Sequence, residues 1–139
     1  MVAVVVPRQH EEKPVFVSVP RRVALPLAVR AAARLERELA STEQAMLDKE
    51  LARRERWNRR WWVRLMPFLA ADTSREAIDV WDTGGGDVLA RLDEVFQLSC
   101  LEHQAKEARR VAAAAKSSAA ASLPIEKRLY DVIQHWAKQ

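Results

Sequence analysis

Six arginines and three tryptophans fall within Leu51–Met66, LARRERWNRRWWVRLM, where Glu55 is the only acid, so this stretch carries +5 against +4 for the whole chain. A guanidinium stays charged at any physiological pH and can grip a phosphate or a carboxylate through two parallel hydrogen bonds. At 100° per residue, Leu47, Leu51, Trp57, Trp61, Trp62, Leu65 and Met66 share one side of a helix, and Arg53, Arg56, Arg59, Arg60 and Arg64 share the other. Only Arg54 and Asn58 interrupt the apolar side. The chemistry of such a surface is recognition rather than reaction. Its arginines suit RNA, anionic lipid or an acidic protein, and its tryptophans suit the buried centre of an interface, where Trp and Arg are both enriched. The plainer expectation is a solvated arginine face whose stems cover the flanks of a tryptophan core.

Patterns that could carry a reaction are weaker. Asp82-Thr83-Gly84-Gly85-Gly86-Asp87 holds all three glycines of the chain. As a phosphate cradle it lacks a lysine, follows a helix-forming segment rather than a strand, and has a carboxylate at each end that repels anions. Asp82-Thr83-Gly84 also resembles the triplet of aspartic proteases, which would imply a catalytic carboxylate and an almost wholly β fold. The flanks here favour helix, so the triplet reads as a chance match and residues 84–86 as a hinge. Cys100 and His103 fall within a helical pattern, the first as a small buried residue and the second as a core-edge one. No carboxylate pair, metal-spaced histidine cluster or nucleophile with an adjacent base is visible. The expectation is a protein that is not an enzyme, with no catalytic residues, no metal ligands and no cofactor.

Positioning the Trp–Arg stretch is the work of a small chain. Its 139 residues allow one domain with a modest core, and alanine supplies much of the apolar fraction, so that core should be thin. Charge alternates along the chain. Residues 67–107 carry nine acidic and three basic side chains, and 108–139 six basic and two acidic. The acidic segment could therefore face the arginine helix, in the same molecule or in a neighbour. A lone cysteine excludes an internal disulfide and a multi-cysteine zinc site, and points to a reducing intracellular compartment. No apolar run approaches the length of a membrane span. The opening residues MVAVVVP lack a basic n-region, and Glu11 and Glu12 follow Arg8. A secretory signal is not expected, and a mitochondrial one is absent, internal or already removed.

Along the chain, Pro7, Pro14, Pro20 and Pro26 punctuate the β-prone runs Val2–Val6 and Val15–Val19, which predicts an extended arm over residues 1–25. Alternation places Val15, Val17 and Val19 on one face and Phe16 with Ser18 on the other, as an edge strand or an arm laid along a partner. Helix formers then run from about Leu25 to Pro67 without Pro or Gly beyond Pro26. Such a helix would be roughly 60 Å long and must protrude or break, with Ser41-Thr42-Glu43-Gln44 as the break because it matches a capping box. Thr73-Ser74-Arg75-Glu76 predicts a short helix through Trp81. Asp87 is expected to cap a second long helix from Val88, burying Leu89, Leu92, Val95, Phe96, Ser99 and Cys100, whose alanine-rich end packs on another helix or spaces the chain ends. From Leu123-Pro124, the stripe Ile125, Leu129, Val132, Ile133, Trp136 predicts a docking C-terminal helix, with Tyr130 and His135 reaching water.

The expected fold is all-α: two long helices with short flanking helices, preceded by the extended arm. Residues 26–139 would form a single helical unit that is not a compact globule. The expected function is that of an accessory or structural subunit of a large multiprotein assembly, plausibly an organellar membrane-protein complex, with a mitochondrial setting among the possibilities. Trp57, Trp61, Trp62 and Leu65, with Val15, Phe16 and Val17 on the arm, are the expected partner-binding residues. Two alternatives follow from the same stretch. One is an RNA-associated, ribosomal accessory protein whose Arg53, Arg56, Arg59, Arg60 and Arg64 contact phosphates. The other is a helix lying peripherally on anionic lipid, against which Arg54 counts because it falls among the apolar residues.

Overall fold

The computed structural model describes residues 13–82 and 88–139, those at 88–90 by backbone alone. The fold is mostly helical. Strand β1 (Phe16–Pro20) leads directly into helix α1 (Arg21–Asn58), and a short helix α2 (Trp61–Leu65) is followed by single 3-10 turns at Pro67–Leu69 and Arg75–Ala77. Helix α3 (Val88–Ser117), strand β2 (Ser122–Glu126) and helix α4 (Lys127–Lys138) complete the chain. It divides into two compact units, one of Met1–Leu35 with His103–Gln139 and the other of Glu36–Glu102.

In the first unit β1 and β2 pair antiparallel, Val17 opposite Ile125 and Val19 opposite Leu123. The ladder continues at both ends, where the Lys127 amide donates to the Val15 carbonyl and the Arg21 amide to the Ala121 carbonyl, each at 2.8 Å. Val19 and Ile125 are buried, and Val17 and Leu123 half-buried on the same face; Phe16, Ser18 and Pro124 are exposed. The all-α expectation is thus corrected by one small sheet, and β1 is paired with the chain's own distant segment. Pro124 obscured β2, because proline cannot donate to a ladder; a two-stranded sheet consists only of edges, where it is tolerated. Accordingly Ile125 contributes to the core from a strand, and α4 starts only at Lys127.

Helix α1 begins one turn earlier than its sequence predicts, leaving Pro26 inside it. Arg21 explains the early start. Besides its amide bond to the strand, its guanidinium donates from Nε to the Ala115 carbonyl and from Nη2 to the Lys116 carbonyl at 3.2 Å. A cation there satisfies carbonyls that the last turn of α3 leaves unpaired and opposes the negative end of its dipole. The interior of this unit is made of small residues. Ala24, Ala28, Ala31, Ala32 and Leu35 are buried along α1, and Ala105, Ala108, Val111 and Ala115 along α3. Helix α4 docks with Ile133 buried, Leu129, Val132 and Trp136 half-buried, and the Trp136 indole donating to Gln104 Oε1 at 3.2 Å. Of the two residues expected at water, His135 is exposed and Tyr130 half-buried.

The second unit is centred on Met46, Val80 and Leu98, with Leu39, Leu47, Ile78, Trp81 and Val95 packed around them. No break occurs at residues 41–44. The Gln44 amide donates forward to Asp48 Oδ1 at 3.0 Å instead of reaching back to cap, and the helix runs on to Asn58. The predicted helix ending at Trp81 shrinks to the turn Arg75–Ala77. Two aspartates compete for its backbone: Asp72 Oδ1 accepts from the Ser74 amide at 2.8 Å and Asp79 Oδ1 from the Trp81 amide at 3.0 Å, local bonds that offer the chain an alternative to helix. On α3 the buried face is rotated from the expected one. Leu98, Leu101, Ala105 and Ala108 face inward, whereas Leu92, Phe96, Ser99, Cys100 and His103 are exposed. The proposed glycine hinge, Asp87 and the Leu89 side chain lie outside the described residues.

Candidate interaction surface

All of the Trp–Arg stretch lies in the second unit, but not as one helix. Helix α1 stops at Asn58, Arg60 takes an extended conformation at φ −65° and ψ 136°, and α2 restarts at Trp61. The cause is a set of side chains committed to the following segment. The Asn58 side chain pairs with both backbone groups of Ala71, donating to its carbonyl at 2.9 Å and accepting from its amide at 2.7 Å. Trp57 donates from its indole nitrogen to the Leu69 carbonyl, and Arg54 from Nη1 to the Asp72 carbonyl, both at 2.9 Å. Three backbone positions of a turn-rich segment thereby find donors or acceptors on one helix end, as backbone groups away from regular structure must.

The break also lets Trp57 and Trp62 meet edge to face, with ring centroids 4.9 Å apart and planes at 84°. Residues five apart on an unbroken helix would be rotated by roughly 140° and could not touch in this way. Arg60 lies over the Trp57 ring, its guanidinium carbon 5.1 Å from the centroid, in a cation–π contact. Trp57 and Trp62 are half-buried and Val63 is fully buried.

Several large apolar side chains remain outside. Trp61 and Leu65 are each 72% exposed and Phe68 80%, with Met66 and Leu69 also open. All five fall within Trp61–Leu69, and large apolar side chains left exposed so close together in sequence are of a kind that marks interaction sites. The three tryptophans thus separate, one outward and two in a brace. The patch also includes Phe68 and Leu69, which the helical pattern missed because they follow Pro67. A signal for them was present: two large apolar residues in a segment too short to fold a face of its own.

The arginines separate as well. Glu50 accepts from Arg53 Nε at 2.9 Å and Nη2 at 2.6 Å, and from Arg54 Nε at 3.0 Å. The Arg53 hydrogen bond, aided by Arg54 and opposed by burial, pulls the Glu50 carboxyl down to about 2, and Glu50 in turn raises Arg53. Asp72 is lowered chiefly by the Ser74 amide that bonds to it. A cavity of about 400 Å³ beside this cluster is lined by Arg53, Arg54, Trp57, Ala71 and Asp72. With Glu50 set against the two arginines and Asp72 on its wall, it offers no net cationic site. Arg56, Arg59, Arg60 and Arg64 are exposed. The acidic segment meets α1 at two exposed ion pairs near this region, Lys49 with Glu94 at 2.8 Å and Arg75 with Asp48 at 3.4 Å, in which the segment supplies an acid once and a base once.

In the first unit, Val15 and Phe16 are about 60% exposed and Val17 is half-buried against the sheet. Among the described residues no group of three or more His, Cys, Asp or Glu side chains could hold a metal ion, and no helix is long and apolar enough to cross a membrane. No protein-family model, curated protein or solved structure matches the chain.

Proposed function

We propose that this chain is a non-enzymatic accessory subunit of a large membrane-associated protein assembly, attached through the Trp61–Leu69 patch and through the exposed edge at Val15 and Phe16. The observation that carries the reading is the division of labour among neighbouring aromatic residues. Trp57 and Trp62 hold the segment in place with hydrogen bonds and ring contacts, while Trp61, Leu65 and Phe68 stand clear of their own unit. A braced, exposed apolar patch beside arginines has the composition of an interface centre with its rim. An organellar setting, mitochondrial among them, belongs to the same reading.

Native-size purification from source cells tests it. A large complex is expected for the wild-type chain, and a triple variant Trp61→Ser, Leu65→Ser, Phe68→Ser should leave it while keeping its helical circular dichroism. A wild-type chain that migrates as a free monomer would sink the proposal. A peak rich in RNA that nuclease or moderate salt disperses would put Arg56, Arg59, Arg60 and Arg64 on phosphates instead, since such contacts weaken steeply with salt.

A further inference from the structure

We infer that the Trp61–Leu69 patch seats in the interface of an anionic phospholipid bilayer, its apolar side chains at headgroup depth and its arginines against lipid phosphates. The inference rests on reading this patch as an attachment surface and names what it meets. Exposure is the first argument. Side chains 72% to 80% exposed have area available on nearly every side. A fluid phase that closes around them buries more of that area than a flat protein face can. Tryptophan is also the residue most at home at a membrane–water boundary, where its ring is apolar and its N–H stays wet.

Charge is the second argument. Within residues 55–69 the cations are Arg56, Arg59, Arg60 and Arg64, all exposed, and the only acid is Glu55, so the segment that bears the patch carries a local excess of +3. The two arginines before it are already set against Glu50. An anionic leaflet attracts each nearby guanidinium, and a small apolar anchor needs that help because few buried side chains alone hold a protein only weakly. Arg54 supplies the third argument. By helical position it belongs to the apolar side, where it would oppose insertion. The structure withdraws it: Arg54 is half-buried, bonded to Glu50 and to the Asp72 carbonyl.

The test is co-sedimentation of the full chain with vesicles of phosphatidylcholine alone and of phosphatidylcholine mixed with phosphatidylglycerol. Binding to the mixed vesicles only, weakened by salt, is expected. The triple serine variant at Trp61, Leu65 and Phe68 should lose it, and the pair Arg59→Gln, Arg64→Gln should lower partitioning roughly thirtyfold, from the typical contribution of two surface cations. Emission of the wild-type chain should shift to the blue with mixed vesicles, and that shift should shrink in Trp61→Phe. A chain that stays in the supernatant with mixed vesicles overturns the inference, as does a triple serine variant that sediments as well as the wild type. The two readings can fail separately. A large native complex without vesicle binding removes lipid and keeps the accessory subunit, and vesicle binding by a chain that is a monomer in native extracts does the reverse.

Discussion

The two units fill their interiors in opposite ways. Where Met1–Leu35 and His103–Gln139 come together, the helices bury mostly alanine, four on α1 and three on α3. Where Glu36–Glu102 folds, the centre is Met46, Val80 and Leu98, ringed by leucine, isoleucine, valine and tryptophan. Alanine burial removes little apolar area per residue but lets backbones approach closely, so the first unit depends on the sheet, the Arg21 cap and the docking of α4 for much of its definition. The second gains more from each side chain and uses polar side chains to pin its irregular segment. One is therefore sensitive to added volume and the other to lost volume.

Substitutions at matched depth test this contrast. Leu98→Ala, at a fully buried position of the second unit, should cost about 3 kcal/mol in chemical denaturation, the usual scale for a truncated core leucine. Ala108→Leu, equally buried in the first, should cost about 2 kcal/mol by overpacking, and a neutral result would mean that the alanine seam is loose. Asn58→Ala removes both bonds to Ala71 and should cost about 1.5 kcal/mol, with loss of the near-ultraviolet signal of the Trp57–Trp62 pair. Glu50 titrates at about 2 when folded against an ordinary 4.5, so its contribution is complete above its unfolded value and fades as pH falls from 4.5 to about 2. Allowing for solvent screening, that contribution is about 1 kcal/mol, and Glu50→Gln should flatten the acid limb of the stability curve accordingly. Trp61→Ala, on the exposed patch, should change stability by less than about 0.5 kcal/mol.

Much of this architecture could be read from residue pattern. The two long helices, the restart at Val88, the shared face of Val17 and Val19 and the C-terminal stripe Leu129–Trp136 all follow from local periodicity, whereas Val15, expected on that face, precedes the strand and is exposed. What escaped is set by contacts between distant parts of the chain. Strand β2 contains a proline and exists because β1 pairs with it. The break at Arg59–Arg60 depends on Asn58 finding Ala71, and the early start of α1 depends on Arg21 finding α3. Of the arginines, their exposure was visible in the sequence, since Arg53, Arg56, Arg59, Arg60 and Arg64 are all exposed, but not that Arg53 is held by Glu50 and that the helix they were to share is broken. Which tryptophan faces outward was not, because a helical wheel assumes an unbroken helix. On α3 the wheel misplaced Leu92, Phe96 and Cys100 for another reason: the alanine-rich half of the helix sets its orientation, and bulk is a poor guide to burial where small residues form the seam.

The register of the sheet has a consequence for how the protein is made. Val17 pairs with Ile125, so the strand synthesised first waits for a partner more than a hundred residues later. At ordinary translation speeds of about 5–20 residues per second, that interval lasts roughly 5–20 s. Throughout it the β1 edge and the alanine face of α1 lack the segments that cover them, whereas Glu36–Glu102 is complete once Glu102 has been added, before Ile125 is made. The second unit is therefore complete in sequence first, and the first closes only when the chain after His103 emerges, a non-local step of the slow kind. During those seconds an exposed strand edge is open to pairing with other chains, so the nascent protein is most vulnerable to aggregation just before its last helix appears.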